Sequence, residues 1–135
     1  MNKVSILLAD DHPSFPKLVE SLLKPAFDIL AIVSNGESIL EAYTRLKPDI
    51  IVTDISMPVL SGFEAAVRLR KSGCTAKVIF LTAHSDPDFV RAGLATGASG
   101  YVFKLRVATD LLVAIREVLE GHIFISPDLS TFNWA

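Results

Sequence analysis

The segment that most constrains the fold is a short run of β-branched residues, 50–53, that ends in Asp54 and is soon followed by Pro58. Such a run is typical of a buried parallel strand, and the proline marks the point where the strand has ended. A carboxylate at the mouth of an apolar strand is partly desolvated, which costs stability unless another group pairs with it. We therefore interpret Asp54 as a functional residue.

A second apolar run, residues 4–9, ends in the same way, in Asp10 and Asp11. If the two strands are neighbours, three carboxylates converge at one end of the sheet. Two like charges ~4 Å apart repel by roughly 4 kcal/mol at an effective dielectric constant of about 20. Such a cluster predicts a site for a divalent cation.

Composition limits the classes of protein to which the chain can belong. Its 135 residues, of which 50% are hydrophobic, fit one globular domain with a substantial core. The apolar run near the N-terminus is too short for a signal peptide or a membrane span, so we expect a cytoplasmic location and no membrane contact. The net charge of −2 and the scattered basic residues argue against direct nucleic-acid binding by this chain. Cys74 is the single cysteine, which excludes an internal disulfide.

Hydrophobic periodicity predicts five strands that alternate with five helices. This alternation indicates a doubly wound parallel sheet with helices on both faces, because crossover connections between parallel strands are right-handed. The predicted strands are residues 4–9, 28–34, 49–54, 77–82 and 100–104, and the predicted helices are residues 14–24, 38–46, 63–71, 87–96 and 109–119.

The fourth helix is predicted to be the weakest. Asp86 is suited to the N-cap and Pro87 to the first helical position. Gly93 lies in the middle of this short helix, where glycine costs about 1 kcal/mol relative to alanine. We therefore expect Gly93→Ala to stiffen the helix.

Four predicted strands end in polar residues at the same edge of the sheet. In an open parallel sheet, ligands bind outside the carboxyl ends of the strands. Here these ends carry acids, a hydroxyl and a cation, which together suit Mg²⁺ and a phosphoryl group. The residues are Asp10, Asp11, Asp54, Thr82 and Lys104.

Taken in order, these motifs resemble the receiver domain of two-component response regulators, and the match runs from about residue 4 to residue 127. The resemblance implies a flavodoxin-like fold with a five-stranded sheet in the order 2-1-3-4-5. The start Asp10-Asp11-His12-Pro13 and the ending at residues 121–127 are similar to the NarL-type subfamily. The other matching pieces are Asp54, Met57-Pro58, Gly62, Thr82-Ala83, Gly97-Ala98, Gly100-Tyr101 and Lys104.

The resemblance assigns a role to each residue at this edge. It implies that Asp54 is the phosphoacceptor, served by a histidine kinase or a phosphotransfer protein. The residues that match the Mg²⁺ ligands of the family are Asp10, Asp11, Asp54 and Ser56, the last through its backbone carbonyl. Thr82 and Lys104 match the groups that contact the phosphoryl oxygens, and Thr82 with Tyr101 matches the switch pair.

The resemblance also implies a signalling role. The chain would catalyse its own phosphorylation and dephosphorylation without turning over an external substrate, and it would form a homodimer on phosphorylation. The output would be transcription, through a DNA-binding domain absent from this chain. Residues 1–121 are the expected receiver domain, and residues 122–135 are a tail or the start of a linker to an output domain.

Three features depart from the pattern of the family, and the third of them involves two positions. Leu105 follows the lysine where the family often has proline, and Pro16 stands where another residue is usual. His84 occupies a position that in the family tunes the lifetime of the phosphoryl group, as does Ser56. Tyr101 is equally compatible with a purely structural role in the core.

Other functions remain open from the sequence alone. The chain fits a free-standing receiver, or a receiver-like interaction module that is never phosphorylated. A flavodoxin-like electron carrier has the same architecture, but the acidic pair after the first strand would repel a flavin phosphate. A phosphatase of the haloacid dehalogenase type needs a second acid two residues after the nucleophile, where this chain has Ser56.

Overall fold

The computed structural model describes residues 3–83 and 86–127. In these two ranges, six parallel strands form one sheet: β1 (Ser5–Ala9), β2 (Asp28–Val33), β3 (Ile50–Asp54), β4 (Lys77–Thr82), β5 (Gly100–Phe103) and β6 (Phe124–Ile125). Their order across the sheet is β2-β1-β3-β4-β5-β6. The predicted flavodoxin-like arrangement is therefore confirmed for its first five strands, and β6 extends it by one short strand.

Within the described residues, five helices cover the two faces of the sheet: α1 (Phe15–Leu23), α2 (Gly36–Leu46), α3 (Gly62–Lys71), α4 (Pro87–Ala95) and α5 (Val107–Leu119). A short 3-10 helix, Lys104–Arg106, joins β5 to α5. Within the described ranges, no helix combines the length and the hydropathy needed to cross a bilayer.

Residues along each central strand alternate between two apolar layers. In β1, Ile6 and Leu8 pack with residues of α1 and α5, whereas Leu7 and Ala9 pack with residues of α2 and α3. All four side chains are at most 2% exposed, because helices cover both faces. Full burial of one such large aliphatic side chain stabilises the fold by about 1.5–3 kcal/mol, so β1 is anchored firmly on both sides. The end of β1, and with it the acidic pair, is thus fixed by the core.

Side-chain caps fix the beginnings of several helices. Ser61 and Glu64 form a reciprocal capping box at α3, and Asn35 accepts a hydrogen bond from the backbone of Ser38 at α2. The Asp86 side chain accepts a hydrogen bond from the backbone N–H of Asp88 at the start of α4, which confirms the N-cap predicted from the sequence. Each cap stabilises its helix by about 1 kcal/mol.

The structure reveals a steric obstacle that the expectation for Gly93 did not include. A Cβ atom at this position would lie 2.5 Å from Cε2 of Tyr101 and 3.1 Å from Cε1 of Phe63. The Tyr101 side chain is fully buried and packs edge to face with Phe80, so the ring has little room to retreat. Glycine is present because the tyrosine ring occupies the space of a side chain, and its low helix propensity is the cost of that packing.

The sixth strand was missed because its stability comes from contacts distant in the sequence. Ser126 donates its backbone N–H to the Tyr101 carbonyl at 2.9 Å, and its hydroxyl donates to Asp110 at 2.8 Å. The same hydroxyl accepts the Phe103 N–H at 3.0 Å, and Ser126 is fully buried. A two-residue strand carries no periodic pattern, so only the tertiary structure reveals it.

Candidate functional site

The first three acids meet where β1 and β3 end side by side. Ala9 pairs with Thr53 across the two strands, which places the residues that follow them at one edge of the sheet. Carboxylate oxygens of Asp10, Asp11 and Asp54 all lie within 4.8 Å of one another. The sequence prediction of a convergent acidic cluster is therefore confirmed in its geometry.

Asp10 is the most enclosed of these acids and is 5% exposed. Its Oδ1 accepts the N–H of His12 at 2.8 Å, and its Oδ2 accepts from Nζ of Lys104 at 3.1 Å. Its own N–H donates to the carbonyl of Val33 at 2.9 Å, which ties the residue to β2. Asp10 is thus held rigidly, whereas Asp11 is exposed to solvent.

Asp54 has a defined partner at each carboxylate oxygen. The N–H of Ile55 donates to Oδ1 at 2.7 Å, and Nζ of Lys104 lies 3.3 Å from Oδ2. Burial raises the pKa of Asp54 above its ordinary value, and the charge of Asp10 adds to this effect. The Lys104 charge and the Ile55 N–H act in the opposite direction. The carboxylate is thus partly desolvated and close to both like and opposite charge, an environment that is common at functional sites.

Lys104 links the acids at the end of β5. Its side chain is 18% exposed, and its ammonium lies between Asp10 and Asp54 and 4.7 Å from the centre of the Phe15 ring. One ammonium next to three carboxylates leaves the cluster with an uncompensated negative charge. A charge of that sign, surrounded by carboxylate oxygens, suits a hard divalent cation such as Mg²⁺.

The loop after Lys104 is well defined despite the unusual Leu105. Leu105 is 85% exposed, and the next residue, Arg106, forms a bidentate ion pair with Asp110 on α5. Burial raises the pKa of Asp110, but hydrogen bonds from Arg106, Ser126 and Thr109 outweigh this effect and lower it. The ion pair therefore anchors the turn that presents Lys104 without the help of a proline.

The loop after Asp54 is compact and strained. Leu60 donates its N–H to the carbonyl of Pro58 at 2.7 Å, and Val59 between them has φ 68°. This is a classic γ-turn, which is rare, and a β-branched residue at positive φ is especially disfavoured. Gly62 then approaches so closely that a Cβ would collide with the Asp54 carbonyl. Ser56 is exposed in this loop, and its carbonyl as a ligand stays a prediction.

Thr82 and Tyr101 lie together behind the acidic edge. Thr82 ends β4 and is 1% exposed, and Tyr101 on β5 is fully buried. Burial raises the pKa of Tyr101, and the Thr82 hydroxyl pulls in the opposite direction. Within residues 3–83 and 86–127 the Tyr101 hydroxyl finds no hydrogen-bond partner of good geometry, an unusual state for a buried polar atom. His84 lies outside the described residues.

Two residues beside the acids were not identified from the sequence. His12 is part of the motif that resembles the NarL-type subfamily and Phe15 falls in the predicted helix 14–24, but the sequence assigned neither of them a role at the site. In the structure the imidazole Nδ1 of His12 accepts the N–H groups of Ser14 and Phe15 at 3.2 and 3.1 Å, which caps α1. The available signal for this cap was a histidine three residues before the first apolar position of the helix. Histidine is a weaker indicator of a helix N-cap than serine or aspartate.

Comparison with known proteins places this geometry in context. The family model described as a response regulator receiver domain matches residues 6–116. The transcriptional regulatory protein DegU of Brevibacillus brevis is 36% identical over 131 residues, which cover 96% of this chain and 56% of that protein. The nitrate/nitrite response regulator NarL of Escherichia coli K12 is 33% identical over 93% of this chain and 59% of its own length.

A solved structure agrees with these similarities. The crystal structure of a LuxR-family two-component response regulator from Aurantimonas superposes with a TM-score of 0.90 at 30% identity, covering 96% of this chain and 94% of that one. The chain spans just over half the length of the two curated relatives, 56% and 59%.

Proposed function

Because the chain belongs to the response regulator receiver domain family, in its NarL-type branch, we propose that it is a signalling switch operated by phosphorylation of Asp54. The observation that supports this proposal best is the arrangement of Asp10, Asp11 and Asp54 around the Lys104 ammonium. Family membership also favours a receiver over the electron-carrier and phosphatase alternatives.

The chemistry proposed for Asp54 is nucleophilic. A carboxylate oxygen forms a bond to phosphorus while the bond between phosphorus and the donor breaks, and the leaving group takes the electron pair and a proton from solvent. The donor is a phosphohistidine of a sensor kinase or of a phosphotransfer protein. Hydrolysis reverses the state of Asp54: water attacks phosphorus, and the aspartate leaves as a carboxylate. No external substrate is turned over.

The residues present fit a bound Mg²⁺. Asp10, Asp11 and Asp54 would hold it together with the backbone carbonyl of Ser56, all of them oxygen ligands. When bound, Mg²⁺ supplies positive charge that offsets the charge of the phosphoryl oxygens. Asp10 is fixed by the His12 N–H, so it contributes a preorganised ligand.

Lys104 and Thr82 serve the phosphoryl group once it is attached. The ammonium already lies 3.3 Å from Asp54, so a modest rotation of its flexible side chain brings it to a phosphoryl oxygen. Charge-assisted hydrogen bonds of this kind contribute about 1.5–3 kcal/mol each. Two or three of them match the roughly 5.5 kcal/mol that carries a two-state equilibrium from 1:99 to 99:1. The buried Thr82 and Tyr101 pair is the proposed moving part.

The output proposed for the switch is control of transcription. DegU is a transcriptional regulatory protein and NarL a nitrate/nitrite response regulator, and the chain matches little more than half of each. We therefore propose that residues 1–121, together with the short strand β6, act as the receiver and that the residues after β6 lead toward a DNA-binding output domain. Homodimerisation on phosphorylation, a cytoplasmic location and recognition by a histidine kinase belong to the same proposal.

The test is phosphorylation in solution followed by measurement of the intact mass. Wild-type protein incubated with Mg²⁺ and acetyl phosphate should gain the mass of one phosphoryl group, and Asp54→Asn should gain none. Asp49→Asn is the matched control, because this acid directly precedes β3 at the end opposite Asp54, and its replacement should leave phosphorylation unchanged. Phosphate retained by Asp54→Asn would refute the assignment, and a wild type that takes up none would favour the phosphorylation-independent interaction module.

A further inference from the structure

Lys104 contacts an aromatic ring, that of Phe15, in addition to its two carboxylate partners. The ammonium Nζ lies 4.7 Å from the centre of this ring, within the range of a cation–π interaction. The ring is half-buried, and Phe15 packs against the apolar layer beneath α1. The Lys104 side chain therefore runs between an aromatic surface and two carboxylates.

Phe15 is linked to the acidic cluster through His12. Its N–H donates to Nδ1 of His12 at 3.1 Å, and the two rings meet edge to face at 6.5 Å. His12 in turn donates its backbone N–H to Asp10, which accepts from Lys104. These contacts close a circuit of four residues, Asp10, His12, Phe15 and Lys104, so the position of the ring depends on the same carboxylate that holds the lysine.

The ring contact differs from the two ion pairs in one respect. A cation bound by Asp10 and Asp54 competes with Lys104 for their oxygens, because both carboxylates carry the negative charge that attracts the ammonium. The face of Phe15 is not a ligand for a hard cation, so this contact survives when the carboxylates are occupied. Among the described contacts of Lys104, the contact with the Phe15 ring is the one that holds the lysine side chain near Asp54 both with and without a bound cation.

We propose that Phe15 is a positioning residue for Lys104, whose ring keeps the ammonium beside Asp54 for phosphoryl transfer. The proposal rests on the function proposed above. Without the ring, the long and strongly hydrated lysine side chain would spend more of its time in solvent, away from the phosphoryl oxygens. The phosphorylation rate should fall by about twofold to thirtyfold, the range of one cation–π contact.

The experiment uses two substitutions and two readouts. In Phe15→Leu the aromatic face is lost but the apolar contact is largely kept, and in Phe15→Tyr the face is retained. The first readout is the NMR shift of the Lys104 methylene protons next to Nζ, measured on unphosphorylated protein. A lysine above a ring should show an upfield ring-current shift in the wild type and in Phe15→Tyr, and none in Phe15→Leu. The second readout is the rate of phosphorylation by acetyl phosphate in Mg²⁺.

A control separates positioning from stability. Val19→Ala removes buried apolar contacts from the same helix without touching Lys104, so it should destabilise the fold and leave both readouts unchanged. The proposal is overturned if Phe15→Leu keeps the wild-type shift and rate, or if Val19→Ala slows phosphorylation equally. A wild type that takes up no phosphoryl group refutes the proposed function, while the ring-current shift still decides whether Phe15 holds Lys104.

Discussion

Replacement of Gly93 by alanine should destabilise this protein, although alanine is the better helix former. Gly93 lies in α4, and its Cα faces the ring of Tyr101. The new methyl group would come to 2.5 Å from Cε2 and 3.0 Å from Cδ2 of that ring, closer than any comfortable carbon–carbon contact. Helix propensity and packing therefore act in opposite directions at this residue.

The magnitudes decide which effect is larger. Glycine to alanine in a helix interior gains about 1 kcal/mol of stability. Overpacking a closed core costs about 1–3 kcal/mol, and here the obstacle is a fully buried tyrosine held against Phe80. The net change should be a loss of up to about 2 kcal/mol in the free energy of unfolding, or up to roughly 8 °C in the melting temperature at about 4 °C per kcal/mol for a domain of this size.

Urea denaturation of a double-mutant cycle measures the two effects separately. Leucine at position 101 lacks the Cε2 atom that the new methyl group would meet at 2.5 Å, so Tyr101→Leu should make room for it. In the Tyr101→Leu background, Gly93→Ala should cost less than in the wild type or become stabilising, because the propensity gain is no longer outweighed. The free energies are comparable only if all four proteins show the same denaturant dependence.

Two results would contradict this reasoning. If Gly93→Ala in the wild-type background stabilised the protein by the full gain in helix propensity, the Tyr101 ring would have to move aside freely. Equal effects of Gly93→Ala with tyrosine and with leucine at position 101 would mean that the two residues do not interact, whatever the distance between them.

Three further changes test other parts of the structure. Millimolar Mg²⁺ should raise the melting temperature of the wild type, because a ligand that binds only the folded state stabilises it, and Asp11→Ala should lose most of that gain; a wild type indifferent to Mg²⁺ would contradict the carboxylate cluster. Val59→Gly should add roughly 1 kcal/mol to the free energy of unfolding, because glycine adopts a positive φ without strain, whereas Val59→Ala should give only part of this gain. Equal changes in the free energy of unfolding for the two variants would show that the positive φ itself carries no strain. Asp110→Asn should cost about 1–3 kcal/mol at pH 7. Folding lowers the Asp110 pKa, so its contribution is complete above the unfolded value near 4 and disappears as pH falls through the folded value; a deficit that stays constant down to pH 2 would refute this.

The sequence by itself determined the architecture and the identity of the acidic site. Apolar runs such as residues 50–53 are strong local signals, because a parallel strand covered on both faces must be apolar throughout. The polar residue that ends each run then stands out against its background. Asp54, the Asp10 and Asp11 pair and Lys104 could therefore be placed at one edge from topology alone.

Only the tertiary structure decided how these groups are held. The approach of Phe15 to Lys104 depends on how the lysine that follows β5 reaches the start of α1, about ninety residues away in the sequence. The buried Ser126 and Asp110 pair, which creates β6, depends on a similar long-range meeting. Hydrophobic periodicity predicts which face of a helix or strand is buried, but it does not predict which side chains of other elements pack against that face.

Gly93 shows the same limit most clearly. Local propensity and tertiary packing predict opposite signs for its replacement, because propensity describes a helix in isolation. The reason for the glycine is the ring of Tyr101, which is attached to a different strand and reaches α4 only when the sheet and helix pack together. Sequence thus determined which chemistry the strand ends carry, and three-dimensional packing determined which neighbours position that chemistry, because contacts between distant segments form only in the folded chain.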